Sequence, residues 1–178
     1  MEKRYHHGDL RKALVEVGLR LLAERAVEGV SLREMARDVG VSATSVYRHF
    51  PDKAALMRAL ALEGLDRLAI AQQDAASGKS GTASFAATGR AYVRFALANP
   101  ALFRLIFTSS AQLQATGEIE ALRMLRANAA AGLPSGADAG QAETNALRSW
   151  SLVHGLAMLM LDGQLPADDQ LIETLISG

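Results

Sequence analysis

From Ser42 to Phe50 the chain reads Ser-Ala-Thr-Ser-Val-Tyr-Arg-His-Phe, nine residues that hold hydroxyls, a phenol, a guanidinium and an imidazole without one carboxylate. Wound as a helix at about 100° per residue with Val46 facing inward, the run brings Ala43 and Phe50 close to Val46 and turns Thr44 and Arg48 directly away. Ser45, Tyr47 and His49 flank that outward face. Such groups match the donors and acceptors of base edges and phosphates. The alternative is an ordinary solvated face, but a solvated helix tolerates an acid in its first turn, and here that place is taken by Ser45.

Other chemistries are poorly represented. No nucleophile paired with a base, no metal-ligand helix motif and no phosphate-binding glycine loop occurs, so an enzyme is not expected. The absence of cysteine excludes disulfides and thiolate metal sites. His6, His7 and Asp9 form at most an incomplete metal set, because no fourth ligand is evident. Neither a metal nor a cofactor is expected.

The elements that must position the strip are marked by caps. Leu10, Leu14, Val17, Leu21 and Leu22 recur at spacings of three and four, predicting a helix that begins near Asp9 and ends at Gly29. In Val30-Ser-Leu-Arg-Glu-Met35, Ser31 is placed to cap the next helix and Glu34 to reach back to it, with Val30 and Met35 as a hydrophobic staple. That helix turns Leu32, Met35, Ala36 and Val39 inward and stops at Gly40, a residue suited to a left-handed turn. Ser42 caps the short helix of the strip, with Val41 and Val46 as its staple. Asp52 caps a longer helix from Lys53 to about Gln73. Two capped helices joined through a glycine have helix-turn-helix spacing.

Beyond residues 76 to 84, a small-residue linker, lies a second helical block. Phe85, Thr88, Tyr92, Phe95 and Ala96 trace one helix face up to Asn99-Pro100, read as a cap followed by a first-turn proline. Short and longer helices follow over 101–107 and 111–131, then a breaker-rich loop over 132–140. From Gln141 to about Asp162 the chain becomes apolar almost all round, a pattern that needs cover on more than one side. The body's own core is one cover and a second subunit the other, with a last helix carrying Leu171, Ile172, Leu175 and Ile176 completing a homodimer seam from 141–162 and 167–177. The whole is expected to be all-α, with about nine helices: a three-helix head over 1–52, including an arm at 1–8, and a helical body over 53–178.

Net charge is zero, yet residues 1–58 hold 11 Lys+Arg against 8 Asp+Glu, and the remainder holds 8 against 11. A positive head on a negative body suits an N-terminal DNA-binding end. The N-terminus lacks the apolar core of a signal peptide and no apolar run reaches membrane-spanning length, so a cytoplasmic protein with no membrane partner is expected.

The stretch Ser31-Leu-Arg-Glu-Met-Ala-Arg-Asp-Val-Gly-Val-Ser-Ala-Thr-Ser-Val-Tyr-Arg-His-Phe-Pro-Asp-Lys53 resembles the DNA-binding head of the TetR (tetracycline-repressor-like) family, over residues from about Tyr5 to Leu56. The resemblance implies base contacts from Arg33, Ala43, Thr44 and Arg48 and phosphate contacts from Ser45, Tyr47, His49 and Lys53. Lys3 and Arg4 of the arm and the caps Ser31 and Ser42 complete the candidate DNA-facing set. Trp150, His154 and Gly155 resemble a Trp-His-Gly signature of one TetR subgroup. The function implied is a repressor released from a palindromic double-stranded operator by a small, mainly apolar effector. The rival is a ligand-independent helix-turn-helix regulator or architectural protein whose body binds a protein partner. Phe85, Tyr92, Phe95, Phe103, Phe107, Met124, Trp150 and His154 are candidate walls of an effector pocket. Each reads also as plain core, and His154 reads equally as a buried histidine satisfied by a carbonyl.

Overall fold

Caps and left-handed residues set the helix boundaries. The computed structural model describes residues 7–108 and 139–177. Among them are eight helices and no strand: α1 (His7–Arg25), α2 (Leu32–Val39), α3 (Ala43–Tyr47), α4 (Lys53–Ala76), α5 (Gly81–Ala98), α6 (Pro100–Thr108), α7 (Ala139–Leu161) and α8 (Asp169–Ser177). The fold is all-α. The helix expected over 111–131 lies outside the described residues, as does the loop expected over 132–140 except for 139 and 140, which already belong to α7.

Several boundaries differ from expectation. Helix α1 already includes His7, the first described residue, so Asp9 lies within the helix and does not precede it as a cap. It ends at Arg25, four residues before Gly29, because Ala26 itself takes the left-handed conformation with φ 57°. Gly29 serves a different need. A Cβ there would fall inside contact distance of Arg25 Cβ and 2.9 Å from the Arg25 carbonyl oxygen. Neither obstacle is the tip of a flexible side chain, so Gly29→Ala is expected to destabilise the fold by about 1–3 kcal/mol. A lowered urea midpoint at unchanged slope would show this, and an unchanged midpoint would contradict it.

Ser31 is extended as a cap residue should be, but its side chain makes no capping bond. Glu34 does not reach back to it either: its Oε1 lies 2.7 Å from Arg25 Nη1. The guanidinium on α1 is the stronger partner for a carboxylate. At Gly40 the expectation is met, with φ 74° and the Gly40 amide donating to the Arg37 carbonyl. The Ser42 hydroxyl accepts from the Ser45 amide at 3.2 Å, and Asp52 Oδ1 accepts from the Ala55 amide at 2.7 Å. The linker is shorter than residues 76–84, since α4 continues through Ala76 and α5 begins at Gly81. The Asn99 side-chain amide donates to the Phe95 carbonyl at 3.0 Å, and so acts at the close of α5.

The described residues fall into two compact units. The first comprises 7–64 and 101–108, and its core is built from Leu14, Leu21, Leu22, Met35, Val46, Phe50, Leu56, Leu60, Phe103 and Ile106. Val39, expected inside, is only half-buried, and Ala43 is exposed although the wheel placed it beside Val46. Ala43 stands at the solvent-facing start of α3, between the exposed Ser42 and Thr44. The second unit comprises 65–100 and 139–177. There α5 packs on α7 and α8, burying Ala91, Tyr92, Val93 and Phe95 against Val153, Leu156, Ala157, Met160 and Ile172. Arg94 grips Asp169 with two bonds of 2.7 and 2.8 Å and reaches Glu173 at 2.8 Å, tying α8 to α5 at the surface. On α7, Leu147, Leu152 and Leu159 remain exposed, as does Leu175 on α8.

Candidate nucleic-acid interface

Three chain segments that are distant in sequence meet at one open groove of the first unit. Ser31 and Arg33 come from the start of α2, Tyr47 from the last turn of α3 and Lys53 from the first residue of α4. With Val30, Leu32, Pro51 and Asp52 they line a space of about 450 Å³. Four of the candidate DNA-facing residues thus share one concave surface. Tyr47 stays exposed because its neighbour Val46 is the buried anchor of the short helix. Lys53 Nζ donates to the Glu28 carbonyl at 3.1 Å, which steadies a side chain whose ammonium carries further donors. One carboxylate, that of Asp52, also borders the groove, but it is engaged in capping α4.

Alongside the groove, α3 presents the rest of the strip. Ser42, Ala43, Thr44 and Arg48 are exposed, whereas Ser45 and His49 are half-buried. Ser45 is held by its amide and by its hydroxyl, 2.9 Å from that of Ser42. The strip remains free of carboxylates. Beneath it, Phe50 lies with the Arg11 guanidinium 5.5 Å from its ring centre, a cation–π contact that fastens α1 to the turn after α3. Lys3 and Arg4 lie outside the described residues.

In the second unit a hydrogen-bonded cluster joins α5 to α7. Trp150 Nε1–H donates to the Tyr92 hydroxyl at 3.3 Å, and that hydroxyl lies 3.0 Å from His154 Nδ1. A phenol that accepts from the indole can donate its own proton to a neutral imidazole, so the Tyr92 hydroxyl is one partner of His154. Burial pushes the Tyr92 phenol above the ordinary tyrosine value, opposed by the Trp150 N–H, and burial lowers the His154 pKa.

Residues 14–60 match the family model described as bacterial regulatory proteins, tetR family, and residues 85–177 match the tetracyclin repressor-like C-terminal domain. The second match alone spans more than half of the chain. The chain belongs to the TetR family.

This TetR-family protein is similar over its whole length to a Rhodococcus sp. RHA1 protein of unknown function, with 33% identity, a TM-score of 0.83, and coverage of 99% of this chain and 95% of that one. A TetR family transcription regulator from Marinobacter aquaeolei VT8 shares the fold, with a TM-score of 0.65 at 23% identity and coverage of 94% and 91%. The HTH-type transcriptional regulator YobS of Bacillus subtilis is 28% identical over 54% of this chain. The chain spans 50% of the length of YobS.

Of the eight candidate effector-pocket residues of this TetR-family protein, Phe85 and Trp150 line a cavity in the second unit. Tyr92 and Phe95 are buried in the α5 core, with Tyr92 holding the cluster described above. Phe103 and Phe107 belong to the first unit, where their rings pack 4.8 Å apart, because α6 groups with the head. Met124 lies outside the described residues. The cavity also brings in Gln72, Ser149 and Val153, which sequence reasoning missed. Gln72 carried a faint signal, as a polar residue among the apolar positions of α4.

The His154 environment has a consequence for stability. Its folded pKa lies below the ordinary 6.5, so just below that pH the unfolded chain binds a proton that the folded chain refuses. The contribution is fully present above about pH 6.5 and is lost as pH falls toward the folded value. Urea denaturation between about pH 5 and 8 is therefore expected to show stability falling on acidification, with His154→Gln flattening that slope. Equal slopes in the two proteins would contradict the assignment.

Proposed function

We propose that this protein is a sequence-specific DNA-binding regulator that represses transcription from a palindromic operator and is released by a small, mainly apolar effector. The observation that carries the reading is the convergence of Ser31, Arg33, Tyr47 and Lys53 on one groove beside an acid-free α3. An arginine offers a bidentate donor for a guanine edge, while the phenol, hydroxyl and ammonium suit phosphates and fix register. In this reading Arg33, Ala43, Thr44 and Arg48 meet bases, and Ser45, Tyr47, His49 and Lys53 meet the backbone.

The protein acts as a homodimer, with α7 and α8 as the seam. Leu147, Leu152, Leu159 and Leu175, exposed on these two helices, are the apolar surface that a second copy would cover. Binding of effector in the body changes operator affinity because it favours one of two states of the dimer. Genome-wide mapping of bound sites tests the function. The expected result is a short palindromic motif whose half-site centres lie about 34 Å, one helical turn, apart. Binding without any enriched motif would overturn it.

A further inference from the structure

The cavity in the second unit has walls supplied by the C-terminal half of α4, by α5, by α7 and by α8. It exists partly because residue 89 is glycine. A Cβ there would stand 3.0 Å from Ile176 Cγ2 and 3.3 Å from Val153 Cγ1, closing the space between α5 and its neighbours. The volume is about 60 Å³. Since a water needs roughly 10–15 Å³ on this measure, the space accepts about four to six non-hydrogen atoms.

Its lining limits what those atoms can be. Among the described residues no charged side chain lines it, and Phe85, Trp150 and Val153 make most of the wall apolar. An ion entering such a site would lose hydration without gaining a countercharge. Polar recognition rests on Ser149 and Gln72. Gln72 is only 1% exposed, and its Nε2 donates to the Thr88 carbonyl at 3.4 Å, a long bond at the weak end of the range. A buried amide held so loosely is suited to exchange that bond for a shorter one to a ligand carbonyl or hydroxyl.

We propose that this cavity is a binding site for a small uncharged molecule of about four to six non-hydrogen atoms, apolar along its body and carrying one hydrogen-bonding group for Gln72 and Ser149. This assignment rests on the reading of the protein as a ligand-responsive regulator and gives that response a location and a ligand class.

Trp150 is the single tryptophan of the chain, so its fluorescence reports on the site directly. Butanamide and butanoate are matched in size and differ in charge. In the full-length protein, butanamide is expected to shift the Trp150 emission saturably, with a dissociation constant on the order of millimolar, and butanoate is not. Ser149→Leu should abolish the shift by filling the space. Phe85→Ala should enlarge the space and move the preference from butanamide to hexanamide, which keeps the assignment testable even if the leucine variant folds poorly. No saturable shift up to about 100 mM, equal binding of butanoate, or unchanged preference in Phe85→Ala would overturn the site. Operator binding measured in parallel judges the regulatory reading separately. Saturable butanamide binding that leaves operator affinity unaltered would overturn ligand control through this site while the site itself stands.

Discussion

Replacing Phe50 by alanine is expected to cost about 3–5 kcal/mol, the range for a fully buried phenylalanine, and to unfold the N-terminal unit at physiological temperature. The side chain is 2% exposed, and its ring fills the space below α3 next to the Arg11 guanidinium. Its backbone amide closes the turn by donating to the Val46 carbonyl at 2.9 Å, so the ring and the end of α3 are placed by the same residue. Whole domains are stable by only about 5–15 kcal/mol, so a loss of this size is decisive. Urea denaturation reads the change. Tyr47→Ala is the control, since an exposed side chain three residues away should alter stability by less than about 0.5 kcal/mol. A cost below about 1 kcal/mol for Phe50→Ala would show that the ring is not packed as described.

Arg33→Ala is expected to weaken operator binding by about 1–3 kcal/mol and to relax the base preference at a single position of each half-site. Lys53→Ala and Tyr47→Ala are expected to act differently. On the proposed reading both side chains meet the DNA backbone, so these variants should weaken binding to all sequences alike, and the lysine variant should also lower the salt slope by about one. On the proposed reading the Arg33 guanidinium meets a base edge while the Tyr47 phenol and the Lys53 ammonium meet phosphates, although all three line one groove. Titrations against the operator and a scrambled duplex, over a range of salt, separate the two behaviours. If Tyr47→Ala bound both duplexes as tightly as the parent protein at every salt concentration, the assigned face would be wrong.

Local signals were readable in the sequence wherever the partners are neighbours in the chain. Ser42 caps Ser45, Asp52 caps Ala55, and Gly40 takes a left-handed turn, all within a few residues. The reading failed where a distant partner competes. The Ser31–Glu34 capping box does not form because Arg25, on another helix, offers the carboxylate a charged partner. The first helix ends at Arg25, with Ala26 left-handed after it, and Gly29 is reserved for close approach, a difference that depends on how the chain turns back on Arg25.

The candidate effector pocket was less legible for a related reason. Aromatic residues at helical spacing look alike whether they line a cavity or fill a core, and only packing separates Phe85 and Trp150 from Phe95, Phe103 and Phe107. The Tyr92 hydroxyl meets Trp150 and His154 across separations of 58 and 62 residues, a meeting that no periodicity encodes.

The acid-free run from Ser42 to Phe50 thus carried its own message, because caps, turn residues and charge act over a few residues and are written consecutively. By itself the sequence determined the described helices, to within a few residues at their ends, the helix-turn-helix spacing and the outward polar strip. What only the tertiary structure decided is which distant side chains complete that strip, with Arg33, Tyr47 and Lys53 in one groove, and where the body keeps an open space beside Trp150. Those features depend on helices packing against one another, and packing joins residues whose separation along the chain says nothing about their distance.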